Sequence, residues 1–218
     1  MRIHLNLSKN TKIVPFNYQH KLVGALHKWI GGNIFHDKLS QYSFSQLQRG
    51  EKTENGLNFS DGANWFISFY DNSMLKKIVL NIKKDPKACF GMNVKSITIQ
   101  ETPDFTNIEY FKVASPVFIK RTIGKKSKHY IYSDIESSEL LTNTLQNKMK
   151  LAGIEDNSLK IEFDKNYKNT STKLIDYKGI KNKASWCPVI IHGKPETKAF
   201  AWNVGVGNST GIGFGSLI

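Results

Sequence analysis

Ser73-Met74-Leu75-Lys76-Lys77-Ile78-Val79-Leu80-Asn81-Ile82-Lys83-Lys84-Asp85-Pro86 decides the fold class of the first half of the chain. Leu75, Ile78, Val79 and Ile82 recur at three- and four-residue spacing, so one face of a helix over 73–84 is apolar, and Pro86 closes it. Beyond it, Met92, Val94, Ile97 and Ile99 predict a strand over 92–100. Before it, residues 42–51 and 56–70 have a strand-like pattern, with Asn55-Gly56 as the hairpin signal between them. Further out, Leu22, Leu26, Trp29 and Ile30 mark a helix over 18–30. Pro15 and Asn17 precede that helix and Gly31-Gly32 ends it. Ile3-His4-Leu5-Asn6-Leu7 alternates with period two and opens the unit as a strand. Strand, helix, two strands, helix, strand is the ferredoxin-like (RRM-like) order.

The second half repeats that order in altered form. Residues 110–120 are strand-rich. Leu140, Leu141, Leu145 and Met149 stripe a helix over 137–151, and Leu159, Ile161 and Phe163 mark a strand. Residues 186–192 and 200–206 read as two more strands, with no second helix visible. The expected fold is α+β: two tandem ferredoxin-like domains over 1–108 and 109–218, the second modified and ending in a glycine-rich loop.

Composition narrows the function. The 218 residues carry 31 Lys+Arg against 18 Asp+Glu, a formal charge of +13, and a globular chain that basic ordinarily meets a polyanion. A hydrophobic fraction of 39% with 13 Phe, 8 Tyr and 4 Trp is enough for a real core, which excludes wholesale disorder. Only Cys89 and Cys187 are present, which excludes a disulfide scaffold and suits a reducing cytoplasm. Apolar runs are as short as Ile78-Val79-Leu80, so no membrane span or signal peptide is expected.

The stretch Val204-Gly205-Val206-Gly207-Asn208-Ser209-Thr210-Gly211-Ile212-Gly213-Phe214-Gly215 is unusual, because each glycine costs about 0.5–1 kcal/mol in a regular element. Such a loop either brings bare backbone amides up to a phosphate chain or packs tightly on a helix. Ile212, Phe214, Leu217 and Ile218 look like anchors for it. Residues 207–211 match the G-x-S-x-G nucleophile elbow, but no acid or histidine follows them to complete a triad. Thr210 stands where a dinucleotide fingerprint needs its third glycine.

Among the histidines, His27 lies about 140° from the Leu22 stripe. His20, Gly24, His27 and Gly31 share one line of the helix, where glycines let another backbone come close. His36 follows in the connector, whereas His4 and His192 read as sheet histidines and His129 falls in a basic loop. Imidazoles suit RNA cleavage by internal attack. One group takes the 2′-OH proton and another protonates the departing 5′ oxygen near neutral pH. A lysine can stabilise the charge that builds on the phosphate. No metal-ligand spacing is present, so neither metal nor cofactor is expected. Lys120, Arg121, Lys125, Lys126 and Lys128 form a basic stretch without an acid, suited to phosphates or to a solvated hairpin. Lys173, Lys178, Lys181 and Lys183 follow in a second loop-like region.

Taken together, these residues resemble the CRISPR-associated repeat-processing endoribonucleases, the sixth Cas protein family within the RAMP superfamily. The resemblance is most specific at Gly205, Gly207, Gly213 and Gly215, two G-x-G steps separated by five residues. Pro15-Phe16-Asn17-Tyr18 with Leu22 and Leu26, Ser115-Pro116-Val117 and Asn147-Lys148 support it. It implies two ferredoxin-like domains side by side and metal-independent cleavage within each CRISPR repeat, leaving a 5′-hydroxyl and a 2′,3′-cyclic phosphate. It also implies catalytic groups on or just after the first helix. By position these are His27, His36 and a lysine for which Lys38 is the nearest candidate, with Ser40 as the alternative occupant. The implied RNA-binding set is the basic stretch together with Gly205, Gly207, Gly211, Gly213 and Gly215. The implied partners are CRISPR repeat RNA, an effector complex and a second copy of the chain. A non-catalytic repeat-binding protein or effector subunit is the rival reading, and an unrelated RNA-binding module is the other.

Overall fold

The computed structural model describes residues 1–31, 39–124 and 126–218. The first unit contains β1 (Arg2–Leu7), α1 (Gln19–Ile30), β2 (Tyr42–Phe44), β3 (Glu51–Thr53), β4 (Gly56–Asn58), β5 (Ala63–Phe69), α2 (Asn72–Lys84) and β6 (Val94–Gln100). Its sheet runs β2-β5-β1-β6 with every neighbour antiparallel, which is the ferredoxin-like arrangement. Ile3, Leu5 and Leu7 alternate onto the inner face, where α1 and α2 bury them with Leu22, Leu26, Trp29 and Ile78. Asp71 caps α2 by accepting from the Ser73 amide at 2.8 Å. The Asn55-Gly56 signal forms the β3–β4 hairpin.

The second unit contains β7 (Tyr110–Phe111), β8 (Ile119–Ile123), β9 (Lys126–Tyr130), α3 (Ser137–Leu151), β10 (Lys160–Phe163), β11 (Ser171–Tyr177), β12 (Ile180–Trp186), β13 (Val189–His192) and α4 (Pro195–Val204). Its sheet runs β10-β13-β7. Leu217 bridges Val113, and amides exchange with carbonyls between 112–114 and 216–218, so a short fourth strand completes the ferredoxin-like order.

Two expectations are corrected here. Residues 200–204 are the end of helix α4, so the second unit has its second helix after all. Phe200 to Val204 are buried on every side, and an apolar run with no polar face carries no helical stripe. Residues 173–183 are not a loop but the β11–β12 hairpin, which pairs from Ser171↔Trp186 to Tyr177↔Ile180. Its turn, Lys178-Gly179, has both residues at positive φ (52° and 83°), as a tight two-residue hairpin requires.

One hydrophobic core runs from Ile3 to Met92 and another from Phe105 to Leu217. Arg2 pins them together. It is buried, with its guanidinium 3.8 Å from the Phe66 ring centroid and 3.6 Å from that of Trp202. It donates to Ser68 Oγ (2.7 Å) and to the Leu217 carbonyl (2.7 Å). Ser43 Oγ also donates to the Asn203 carbonyl at 3.0 Å, and Tyr70 packs edge-on against Phe200. Among the described residues, no helix is long and apolar enough to cross a membrane.

Candidate active site

Helix α1 buries Leu22, Val23, Leu26, Trp29 and Ile30 and leaves Gly24, His27 and Lys28 exposed, as its apolar period dictates. His27 therefore stands in solvent on the open face. Its Nε2 lies 3.5 Å from the Tyr42 hydroxyl, the long limit of a hydrogen bond. That hydroxyl donates to the Gly211 carbonyl at 3.2 Å. The Tyr42 ring stacks on Phe69 with centroids 5.6 Å apart, which fixes its direction. Burial, with Tyr177 nearby, pushes the Tyr42 phenol up to about 12, against a hydrogen bond from Ser40. It is a neutral hydroxyl at any physiological pH.

The glycine-rich loop thus meets α1 along the side that carries Gln19 and His27. Gln19 of α1 donates from Nε2 to the Ile212 carbonyl. A Cβ at Gly211 would run into Ser40 Oγ and come within 3.0 Å of the Tyr42 hydroxyl. Gly213 has φ +92°, and a Cβ there would sit 2.7 Å from the Phe44 ring. Of the two uses that the sequence allows for these glycines, close packing is the one the structure displays. Gly205, Gly207, Gly211, Gly213 and Gly215 are all buried. The amides of Gly205, Gly213 and Gly215 are spent on the carbonyls of Ala201, Thr210 and Pro116. What the loop turns outward is Ser209, with Asn208 and Ile212 partly exposed beside it.

Lys148, at the end of α3, supports the loop from below. Its ammonium is buried and donates to the Val204 carbonyl (3.2 Å) and to Thr210 Oγ1 (2.8 Å). Burial pulls its pKa down to about 7. Above that value the unfolded chain, with an ordinary lysine near 10.5, holds the extra proton. Stability therefore rises with pH between about 7 and 10.5. One such group contributes a slope of up to about 1.4 kcal/mol per pH unit. Urea unfolding from pH 7 to pH 9 is expected to show that rise in the native protein and a flatter profile in Lys148→Met. Parallel profiles would contradict the assignment.

The basic stretch forms the β8–β9 hairpin, which turns at Gly124. Lys120, Lys126 and Lys128 are exposed. Lys128 lies 3.7 Å from Glu136 and 4.3 Å from the Tyr130 ring centroid. Arg121 points inward instead: its guanidinium donates to the Leu140 carbonyl, to Thr144 Oγ1 (both 2.8 Å) and to Asn208 Oδ1 (3.1 Å). It ties the hairpin to α3 and to the loop while remaining partly exposed. The β11–β12 hairpin lies alongside, with the Lys183 amide donating to His129 Nδ1 at 3.3 Å. Both hairpins adjoin the loop, through the Lys120 amide on Asn208 Oδ1 (2.8 Å) and through Ile175 packed against the Phe118, Ala184 and Phe214 cluster.

His36, Lys38 and Lys125 lie outside the described residues. Ser40 is described and sits between Tyr42 and Gly211. His4 bonds Gln100 (2.7 Å) and His192 pairs with Glu109 (2.9 Å), both within sheets. Burial raises both thiols, that of Cys89 to about 12. Among the described residues, no three His, Cys, Asp or Glu side chains cluster as metal ligands. Sequence reasoning missed Tyr42 and the part played by Lys148. Tyr42 sits on a three-residue strand without a motif, and only the tertiary fold brings it to His27.

Several solved structures align with the whole of this chain. A Cas6-related protein from Pyrococcus furiosus shares 23% identity with a TM-score of 0.86 over 97% of its own length. A CRISPR associated protein Cas6 shares 21%, with 0.84 over 98%. A RAMP protein described as binding different RNA substrates shares 20%, with 0.80 over 99%. Each is similar in fold. No curated protein sequence matches the chain. The family model for the C-terminal part of the CRISPR associated protein Cas6 matches residues 99–217, more than half of the chain. By that match, and with tandem ferredoxin-like units closed by a glycine-rich loop, the chain belongs to the CRISPR-associated Cas6 family.

Proposed function

We propose that this protein is an endoribonuclease that binds CRISPR precursor RNA and cuts it once within each repeat, without a metal ion. The observation that carries the reading is the meeting of His27, on the open face of α1, with the Gly211 carbonyl through the Tyr42 hydroxyl in a Cas6-family chain. In this mechanism a base takes the proton of the ribose 2′-OH, whose oxygen attacks the adjacent phosphorus. An acid gives a proton to the departing 5′ oxygen. The products are a 2′,3′-cyclic phosphate and a 5′-hydroxyl. His27 supplies one of these groups and His36, from the connector after α1, the other, with Lys38 stabilising charge on the phosphate. Tyr42, held neutral, orients the His27 ring. Lys120, Lys126 and Lys128 offer exposed cations to the RNA backbone, and the RNA-binding RAMP neighbour of the same fold supports that partner.

The test is incubation of the protein with repeat RNA in excess EDTA, beside an RNA carrying a 2′-deoxy sugar at the cut position. The normal RNA is expected to be cut and the modified one to survive. Cleavage of the deoxy substrate, or loss of activity on chelation, would overturn the mechanism. Tight repeat binding with no cleavage of either RNA would favour the effector-subunit reading instead.

A further inference from the structure

A concavity opens on the exposed face of α1, on the side of His27 nearer the helix start. Its volume is about 720 Å³, and it lies between α1, the 86–93 turn and the segment that follows β1. Lys12, His20, Lys21 and Lys28 line it, and none of its lining residues is acidic. Lys28 is anchored at the rim by Asp85 (2.8 Å) and the Lys87 carbonyl, so Lys12 and Lys21 carry the less committed charge. Phe90 also faces the groove, partly exposed, with φ 51°. A bulky residue rarely holds that conformation, which persists only where the surroundings impose it. Here the Thr11 amide bonds the Phe90 carbonyl (3.0 Å), and a Cβ at neighbouring Gly91 would collide with Thr11. The backbone of this turn is therefore fixed, and the partly buried Phe90 ring packs against the first core at the edge of the groove.

Gly24 lies on the same wall. It is an exposed glycine inside a helix, where glycine is a poor helix former, and a Cβ added there would meet nothing within 4 Å. Neither helix stability nor packing explains it. Room for something passing along the helix does, and His27 stands one turn further on.

We propose that this groove holds the single-stranded RNA segment adjoining the scissile linkage, with its phosphates on Lys12 and Lys21 and one base stacked on Phe90. The proposal rests on the endoribonuclease reading and adds a substrate channel to it. A basic groove with an aromatic platform is the general solution for single strands, since every base has a face to stack.

The experiment measures the binding of labelled repeat RNA at fixed salt and its cleavage by Gly24→Glu, Gly24→Ala, Phe90→Gly and His27→Ala. Gly24→Ala and Gly24→Glu are expected to melt no lower than the native protein, because the position is open. Gly24→Glu is expected to weaken RNA binding at least about tenfold by setting a carboxylate against phosphate, while Gly24→Ala changes it little. Phe90→Gly keeps the backbone conformation, loses the stack and is expected to weaken binding about fivefold or more. Lys12→Ala with Lys21→Ala should flatten the salt dependence by about 0.7 per lost phosphate contact. Native-like binding by Gly24→Glu and Phe90→Gly, with His27→Ala inactive, would overturn the groove alone. Normal cleavage by His27→Ala would overturn the catalytic reading, whatever the groove variants do.

Discussion

Replacing His27 by alanine is expected to slow cleavage of repeat RNA by about 10²–10⁴-fold, the usual worth of a positioned acid or base, with little change in RNA affinity. The side chain is exposed on the polar face of α1, so its loss opens no cavity in the core and the protein should melt as before. Tyr42→Phe is the companion variant. It keeps the ring stacked on Phe69 but removes the hydroxyl that links the imidazole to Gly211. A positioning role predicts a smaller loss of rate together with a displaced pH–rate profile, which a purely structural role would not produce. Single-turnover cleavage with denaturing gels reads both. A rate for His27→Ala within about fivefold of the native protein would remove the residue from the proposed mechanism.

The second large effect is on stability. Arg2→Ala deletes a side chain that is 1% exposed and clasped between Phe66 and Trp202. Burial lowers its pKa, the sign of a charge taken out of water, and its acceptors and two aromatic faces offset that penalty. Truncation leaves a void of aromatic size and an unpaired Leu217 carbonyl, together about 3–5 kcal/mol. For a chain of this length that lowers the melting temperature by about 10 °C. Arg2→Lys keeps the charge but not the planar fork, so it should recover only part of the loss. Calorimetry decides. A shift below about 2 °C would mean that the other contacts between the units, Ser43 with Asn203 and Tyr70 with Phe200 among them, carry the junction without Arg2.

What could be read from the residues followed their periodicity. β1, α1 and α2 each carry a clean two- or 3.6-residue pattern because each has one wet and one dry face, whereas the edge strand β6 buries none of its residues. α4 has no wet face, so Phe200-Ala201-Trp202-Asn203-Val204 passed for a strand. Its markers lay at the ends, with Pro195 and Glu196 in the first turn and Gly205 after the last. The β11–β12 hairpin hid behind its lysines and a Lys178-Gly179 turn in place of Asn-Gly. The glycine spacing was conspicuous, yet only coordinates could tell buried packing from open amides. No local pattern links Tyr42 to His27, since that distance is created by the fold of the first unit, whereas the contact of Tyr42 with Gly211 is created by docking one unit on the other.

That docking has a kinetic meaning. Residues 27 and 211 share one site but lie far apart along the chain, and the loop's seat is composed of Gln19, Tyr42 and Phe44 from the other unit. Neither ferredoxin-like unit, prepared alone, would present the assembled surface. On the proposed function, RNA cutting would then report how firmly the two units hold each other, and partial separation would silence it well before either core melts.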